Sequence, residues 1–206
     1  MYKVSIKPEE MEKMPMTAFQ GEIQVIKKFG RKYLKAIDYL NKQQVIGFDT
    51  ETRPTFSPGQ KSGGVSLLQL SGADKAFLFR IKKLGMTPKL CRLMANEKIA
   101  KVGAATGEDV LGLQRYSPFK PAAFIDLQRI VWEYGIKDKS VKKMAAIILG
   151  IRISKTQQLS NWDADELSEA QQKYAATDAW VCREMYLKLL QSERKPLDVE
   201  EMLPNG

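Results

Sequence analysis

One helix near the C-terminus sets the terms for the whole chain. Ser168-Glu169-Ala170-Gln171 has the form of a capping box, in which the serine and glutamine side chains satisfy each other's backbone N–H groups. The helix it opens is expected to run to about Gln191. Along it Tyr174, Asp178, Val181 and Met185 follow at spacings of four, three and four, which places them on one face. That face is otherwise largely apolar, so a second layer must cover it. A carboxylate on a covered stripe is unfavourable unless a cation or hydrogen-bond donors meet it. The fold therefore has to bring Asp178 a partner from elsewhere in the sequence.

The covering layer reads as a sheet. Residues 45–49 form a buried strand, and 65–71 and 75–80 read as a hairpin joined by Ser71-Gly72-Ala73-Asp74. Shorter strands are expected over 98–102 and 122–125. Helices are expected over 30–41, with Tyr33, Leu34, Ile37 and Leu40 inward, and over 88–94, 106–116 and 127–134. Ser140 can cap a further helix that Gly150 stops. A loop rich in Pro, Gly, Ser and Lys spans 52–64, and 151–165 is irregular. A strand meander followed by alternating strands and helices indicates an α/β fold with a mixed central sheet flanked by helices. Residues 1–28 lack clear periodicity and are expected to wrap the domain as an arm. Residues 193–206 are expected to form a polar tail.

Composition narrows the chemistry. The 206 residues suit one domain with a real core. No apolar run approaches the roughly 18 residues of a membrane span. The first residues carry Glu9, Glu10 and Glu12 and lack the apolar region of a signal peptide. Cys91 and Cys182 have no metal-site spacing and are expected to be free thiols without a disulfide partner, which suggests a reducing, cytoplasmic location. Histidine is absent, which excludes a Ser-His-Asp triad, a Cys-His pair and an HExxH zinc helix. The net charge of +9 favours a polyanionic partner. Two groups of cations stand out: Lys27, Lys28, Arg31, Lys32 and Lys35, and Lys137, Lys139, Lys142 and Lys143.

The acids fall into a pattern. Residues two apart in a strand point to one side, so Gly47, Asp49 and Glu51 share a face. Two adjacent carboxylates repel, and a divalent cation relieves the repulsion. Asp109 is placed on the first turn of a helix, where an acid also suits the helix dipole. Glu108 and Asp126 rival it, although Asp126 suits an N-cap. With Asp178, these acids form a set of hard oxygen ligands suited to Mg²⁺ or Mn²⁺. Two such ions can clamp the attacking and leaving oxygens of a phosphoryl displacement. Tyr174, one turn before Asp178, could orient an attacking water. It would position rather than act as a strong base, since a phenol has a pKa near 10.

In the order Phe48-Asp49-Thr50-Glu51 with Leu67-Leu68-Gln69-Leu70-Ser71, then Gly103 to Asp109, then Tyr174-Ala175-Ala176-Thr177-Asp178, the chain resembles the tyrosine branch of the DEDD 3′–5′ exonucleases. Leu149-Gly150, Lys155 and Ser160-Asn161-Trp162 add to the likeness, which is to ribonuclease D and the Werner helicase exonuclease domain. The resemblance covers about residues 30–190. It implies a ribonuclease H-like fold, an exonuclease domain over 29–192, and release of 5′-mononucleotides from the 3′ end of DNA or RNA. It implies that Asp49, Glu51 and Asp178 ligate one metal. Asp49 would bridge to a second metal with Asp109 in its shell. Tyr174 would orient the nucleophilic water. Thr50, Lys155 and Trp162 match positions near the site, where they would touch substrate, although Trp162 also suits a core anchor. Three departures stand out. Ala105 replaces an asparagine that many relatives carry, and Asp165-Glu166-Leu167 replaces Arg-Pro-Leu. The length leaves no room for the helical RNA-binding domains of ribonuclease D, so a stand-alone catalytic domain is expected.

Two other readings are open on the sequence alone. A catalytically silent nucleic-acid-binding domain would keep the fold but usually loses an acid, and here none is lost. A purely structural domain would leave Asp178 on its apolar stripe without a partner.

Overall fold

The computed structural model describes residues 1–54 and 63–198. Most of the loop expected over 52–64 therefore lies outside the described residues. The chain runs through α1 (Pro8–Glu12), β1 (Glu22–Ile26), α2 (Arg31–Asn41), β2 (Val45–Thr52), β3 (Val65–Ser71) and β4 (Lys75–Arg80). It continues with α3 (Ile81–Leu84), α4 (Pro88–Met94), β5 (Ala100–Gly103), α5 (Thr106–Gln114), β6 (Phe124–Asp126) and α6 (Leu127–Ile130). A 3₁₀ turn over Val131–Tyr134 leads to α7 (Val141–Leu149) and α8 (Glu169–Leu190).

The six strands lie in the order β1-β4-β3-β2-β5-β6. β3 pairs antiparallel with both neighbours, and the other pairs are parallel, so β3 alone runs against the rest. The C-terminal ends of β1, β4, β2, β5 and β6 therefore share one edge of the sheet. β1 was not expected: its residues are mostly half-buried, and an edge strand of that kind shows no clean alternation.

Strand alternation divides the core. Ile46, Phe48, Leu68, Leu70, Phe77 and Phe79 face the layer of α2, α4 and α5. Leu67 and Leu78 face the opposite side and pack with Tyr174 and Ala175 of α8. Each buried Leu, Ile or Phe contributes about 1.5–3 kcal/mol. In α2, Tyr33, Ile37 and Leu40 point inward as expected, whereas Leu34 is exposed and Ala36 takes the inner position. The expected helix over 127–134 is divided between α6 and the 3₁₀ turn. Both caps form: Ser140 accepts from the Lys143 N–H, and Ser168 and Gln171 make the reciprocal pair.

Candidate active site and metal centre

β2 carries Asp49 and Glu51 to the shared C-terminal edge of the sheet, on the face covered by α8. Helix α8 brings Asp178 down onto them. Carboxylate oxygens of Asp49, Glu51 and Asp178 all lie within 4.8 Å of one another. The close approach depends on Gly47, which sits directly beneath α8 on the same face of β2.

Asp178 is 5 % exposed. Its Oδ2 accepts a 3.0 Å hydrogen bond from the Lys155 ammonium, a basic partner that the sequence reading did not give it. Its Oδ1 is buried with no hydrogen-bond partner. A lone lysine thus meets one oxygen of a three-carboxylate cluster and leaves another unpaired. That donor set, all hard oxygens with one of them orphaned, fits a divalent cation of the Mg²⁺ or Mn²⁺ kind.

Burial and mutual repulsion govern the charges. Burial, then the charges of Asp178, Glu51 and Asp109, push the Asp49 carboxyl well above the usual carboxylate range. Glu51 is pushed up to about 8, mainly by burial and then by Asp178, with Lys155 opposing. Burial raises Asp178 too, against the pull of Lys155. The Tyr174 phenol, 6 % exposed, is raised above its ordinary value by burial and by the Asp178 and Glu51 charges. Lys155 reaches its hydroxyl at 3.5 Å and stands 5.3 Å from its ring centroid. Burial and the neighbouring carboxylates both disfavour the phenolate, and the neutral hydroxyl can donate and accept hydrogen bonds.

Asp109 stands outside the three-carboxylate group. Helix α5 packs on the opposite face of the sheet, where Thr50 points, and the Thr50 hydroxyl donates to Asp109 at 2.5 Å. Burial raises Asp109 to about 6, against the Thr50 hydrogen bond. Its charge still acts on Asp49 and Glu51 across the end of the sheet. Of its rivals, Glu108 is exposed. Asp126 is a cap: one oxygen accepts from the N–H groups of Gln128 and Ala105. Thr50 therefore holds Asp109, and Lys155 lies inside the cluster. Trp162 is fully buried, with its ring 5.9 Å from that of Tyr174, so it props the tyrosine from the core.

Two further residues lie beside the site or its supporting loop, Gln69 and Arg80. Gln69 stands opposite Asp49 in the β2–β3 ladder and so shares its face. It is fully buried, and neither polar atom of its side-chain amide has a partner. Arg80, at the end of β4, donates to the carbonyls of Ala164 at 2.5 Å and Asp165 at 3.2 Å. Asp163 in the same loop takes hydrogen bonds from Ser66 and Lys82, both at 2.6 Å. These contacts fix the loop that carries Trp162 beneath Tyr174. An arginine ending an apolar strand, and a glutamine within one, are the only traces of either placement in the sequence.

A family model described as 3′-5′ exonuclease matches residues 31–192. The chain is 32% identical over 156 residues to the mouse bifunctional 3′-5′ exonuclease/ATP-dependent helicase WRN, covering 73% of this chain and 11% of that protein. It is 31% identical over 170 residues to the Drosophila melanogaster exonuclease 3′-5′ domain-containing protein 2, covering 77% of this chain and 29% of that protein. The chain thus spans less than a third of either relative. Among solved structures, the Aedes aegypti Nibbler EXO domain superposes with a TM-score of 0.73 at 23% identity, covering 85% of this chain and 91% of that one. Escherichia coli RNase D superposes with a TM-score of 0.72 at 22% identity, covering 82% and 44%. At those identities the two structures show the fold, which is the ribonuclease H-like one. With the family model spanning α2 to α8, the chain belongs to the 3′-5′ exonuclease family.

Proposed function

We propose that this protein is a divalent-metal-dependent 3′–5′ exonuclease that hydrolyses the terminal phosphodiester bond of DNA or RNA. The observation that carries this reading is the cluster of Asp49, Glu51 and Asp178, with an orphaned Asp178 oxygen and the Tyr174 hydroxyl one helical turn away. Asp49, Glu51 and Asp178 would hold one Mg²⁺ or Mn²⁺, and Asp49 with Asp109 a second. Bound there, the ions would activate water and neutralise the charge gathering on the phosphate oxygens.

The residues of the chain do the positioning. The Tyr174 hydroxyl oxygen accepts a hydrogen bond from the attacking water and so holds that water in line with phosphorus. Lys155 balances the negative charge of the cluster and stands ready to meet a phosphate oxygen. Thr50 fixes Asp109, and Trp162 fixes the tyrosine ring. The water gives up one proton to solvent as its oxygen forms the new bond to phosphorus, and the bond to the 3′-oxygen of the penultimate nucleotide breaks. That 3′-oxygen takes a proton from solvent, and a 5′-mononucleotide leaves. No observation favours a catalytically silent domain, since all five motif residues are present.

Chromatography of the products tests the reading. Nucleoside 5′-monophosphates released from a single strand in the presence of Mg²⁺ or Mn²⁺ are expected. Products carrying 3′-phosphates, or internal fragments alone, would contradict it.

A further inference from the structure

The first basic group of the sequence takes no part in the site described above. Lys27, Lys28, Arg31, Lys32 and Lys35 lie where β1 passes into α2. Lys28, Arg31, Lys32 and Lys35 are exposed, and among the described residues none has a carboxylate partner. Phe29 sits in their midst, 62% exposed, with its ring 5.2 Å from that of Tyr33. These residues border an open groove of about 920 Å³ that follows β1 to Gln172 of α8. Its two carboxylates are both paired, Glu166 with Lys27 and Glu22 with Lys75. The charge left over in the groove is therefore positive.

The groove lies at the same edge of the sheet as the acids. β1 and β2 run the same way, and the register across the sheet puts Ile26, the last residue of β1, level with Thr50, between Asp49 and Glu51, so Lys27 and Lys28 lie just beyond that level. Three strand spacings separate β1 from β2, about 14 Å in all. A stacked strand rises about 3.4 Å per nucleotide, so this distance equals about four nucleotides. Gln172, which lines the groove, precedes Tyr174 by two residues on α8.

Resting on the exonuclease reading, we propose that this groove holds the single strand upstream of the 3′ end being cleaved. Unpaired like charges at this density repel one another, and a polyanion with regularly spaced phosphates relieves that repulsion while releasing its own counterions. Phe29 offers an exposed ring face at the centre of the charges, which suits stacking against a base of any sequence. An enzyme so built grips a strand several nucleotides from the end it shortens. It discriminates by the length of single strand and not by sequence.

The test compares the wild type with two variants. One replaces Lys28, Arg31, Lys32 and Lys35 together by glutamine, and the other is Phe29→Ala. Binding of a labelled single strand of about twelve nucleotides is followed by anisotropy in EDTA across a salt series, with a polyglutamate peptide in parallel. Turnover is followed on the 4-nitrophenyl ester of thymidine 5′-phosphate, which reaches the acids but not the groove. Four lost phosphate contacts reduce the salt slope of single-strand binding by about 2.8. From about 50 to 200 mM salt, wild-type affinity then falls about fifty-fold further than that of the quadruple variant. Phe29→Ala weakens strand binding about ten-fold without changing the slope. Ester hydrolysis is expected to be unchanged in both. A quadruple variant that binds the strand with wild-type affinity and slope overturns the proposal. So does a groove whose substitution affects only the acidic peptide. Failure of the wild type to hydrolyse any substrate overturns the exonuclease reading instead, and the binding series still decides the groove.

Discussion

A Cβ placed on Gly47 would lie 1.8 Å from the carbonyl oxygen of Ala179. The strand that carries Asp49 and the helix that carries Asp178 are thus in backbone contact two residues away from one acid and one residue from the other. This contact sets the separation of the carboxylates. Gly47→Ala is expected to destabilise the protein by about 3 kcal/mol or more, because backbone rather than a side chain must yield. Denaturant unfolding measures the loss. A variant as stable as the wild type would show that the two elements are not held at this distance.

Tyr174→Phe removes one hydroxyl and leaves the ring against Trp162. If Tyr174 orients water, turnover falls about a hundredfold. Metal binding should survive, because the carboxylates are untouched. Stopped-time assays for turnover and the thermal shift on adding Mn²⁺ separate the two effects. Wild-type turnover would remove the tyrosine from the mechanism.

The raised carboxyls make metal-free stability depend on pH. Glu51 moves from an ordinary 4.5 to about 8, and Asp109 from 3.8 to about 6. Between those bounds the folded chain holds protons that the unfolded chain has released, so stability falls as pH rises. The Glu51 contribution is complete below its ordinary value and lost as pH passes through about 8. A divalent cation favours the ionised forms, so its stabilising effect should grow over the same window. Melting curves with EDTA and with Mg²⁺, from about pH 5 to about pH 8, should therefore diverge as pH rises. Curves that stay parallel would contradict the assignment of Glu51 to the cation site.

Ala105 occupies the left-handed region, with φ 58° and ψ 39°, at the start of α5. A side chain with Cβ pays about 1–2 kcal/mol there, and asparagine pays less because it can hydrogen-bond locally. Ala105→Asn is expected to stabilise the protein by about 1 kcal/mol, read as a rise in Tm. A lower Tm would show that this turn carries no strain for the substitution to relieve.

Local signals in the sequence made much of the fold legible. The hairpin strands Val65–Ser71 and Lys75–Arg80 fall where their apolar runs and the intervening turn residues put them. Ser140 and Ser168 cap the helices that their spacing marks. β1 escaped notice because an edge strand buries too little to impose a period. Leu34 misled because an apolar residue at helical spacing need not face the core. At the site, Asp49, Glu51 and Asp178 converge as strand parity and the helical stripe imply. The side of the sheet from which Asp109 approaches is a tertiary fact, fixed by α5 and Thr50. The partner of Asp178 is another: Lys155 lies in an irregular segment with no period to place it. Gln69 and Arg80 read locally only as parts of strands.

The most direct measurement follows a 5′-labelled single strand, DNA and RNA in parallel, with Mg²⁺ or Mn²⁺. It compares the wild type with Asp49→Asn, a near-isosteric change that removes the carboxylate both proposed cation positions would share. The account predicts stepwise shortening from the 3′ end of at least one substrate, abolished by EDTA and slowed at least about a hundredfold in Asp49→Asn. Undiminished shortening by Asp49→Asn, or none by the wild type on either substrate with either cation, would contradict it.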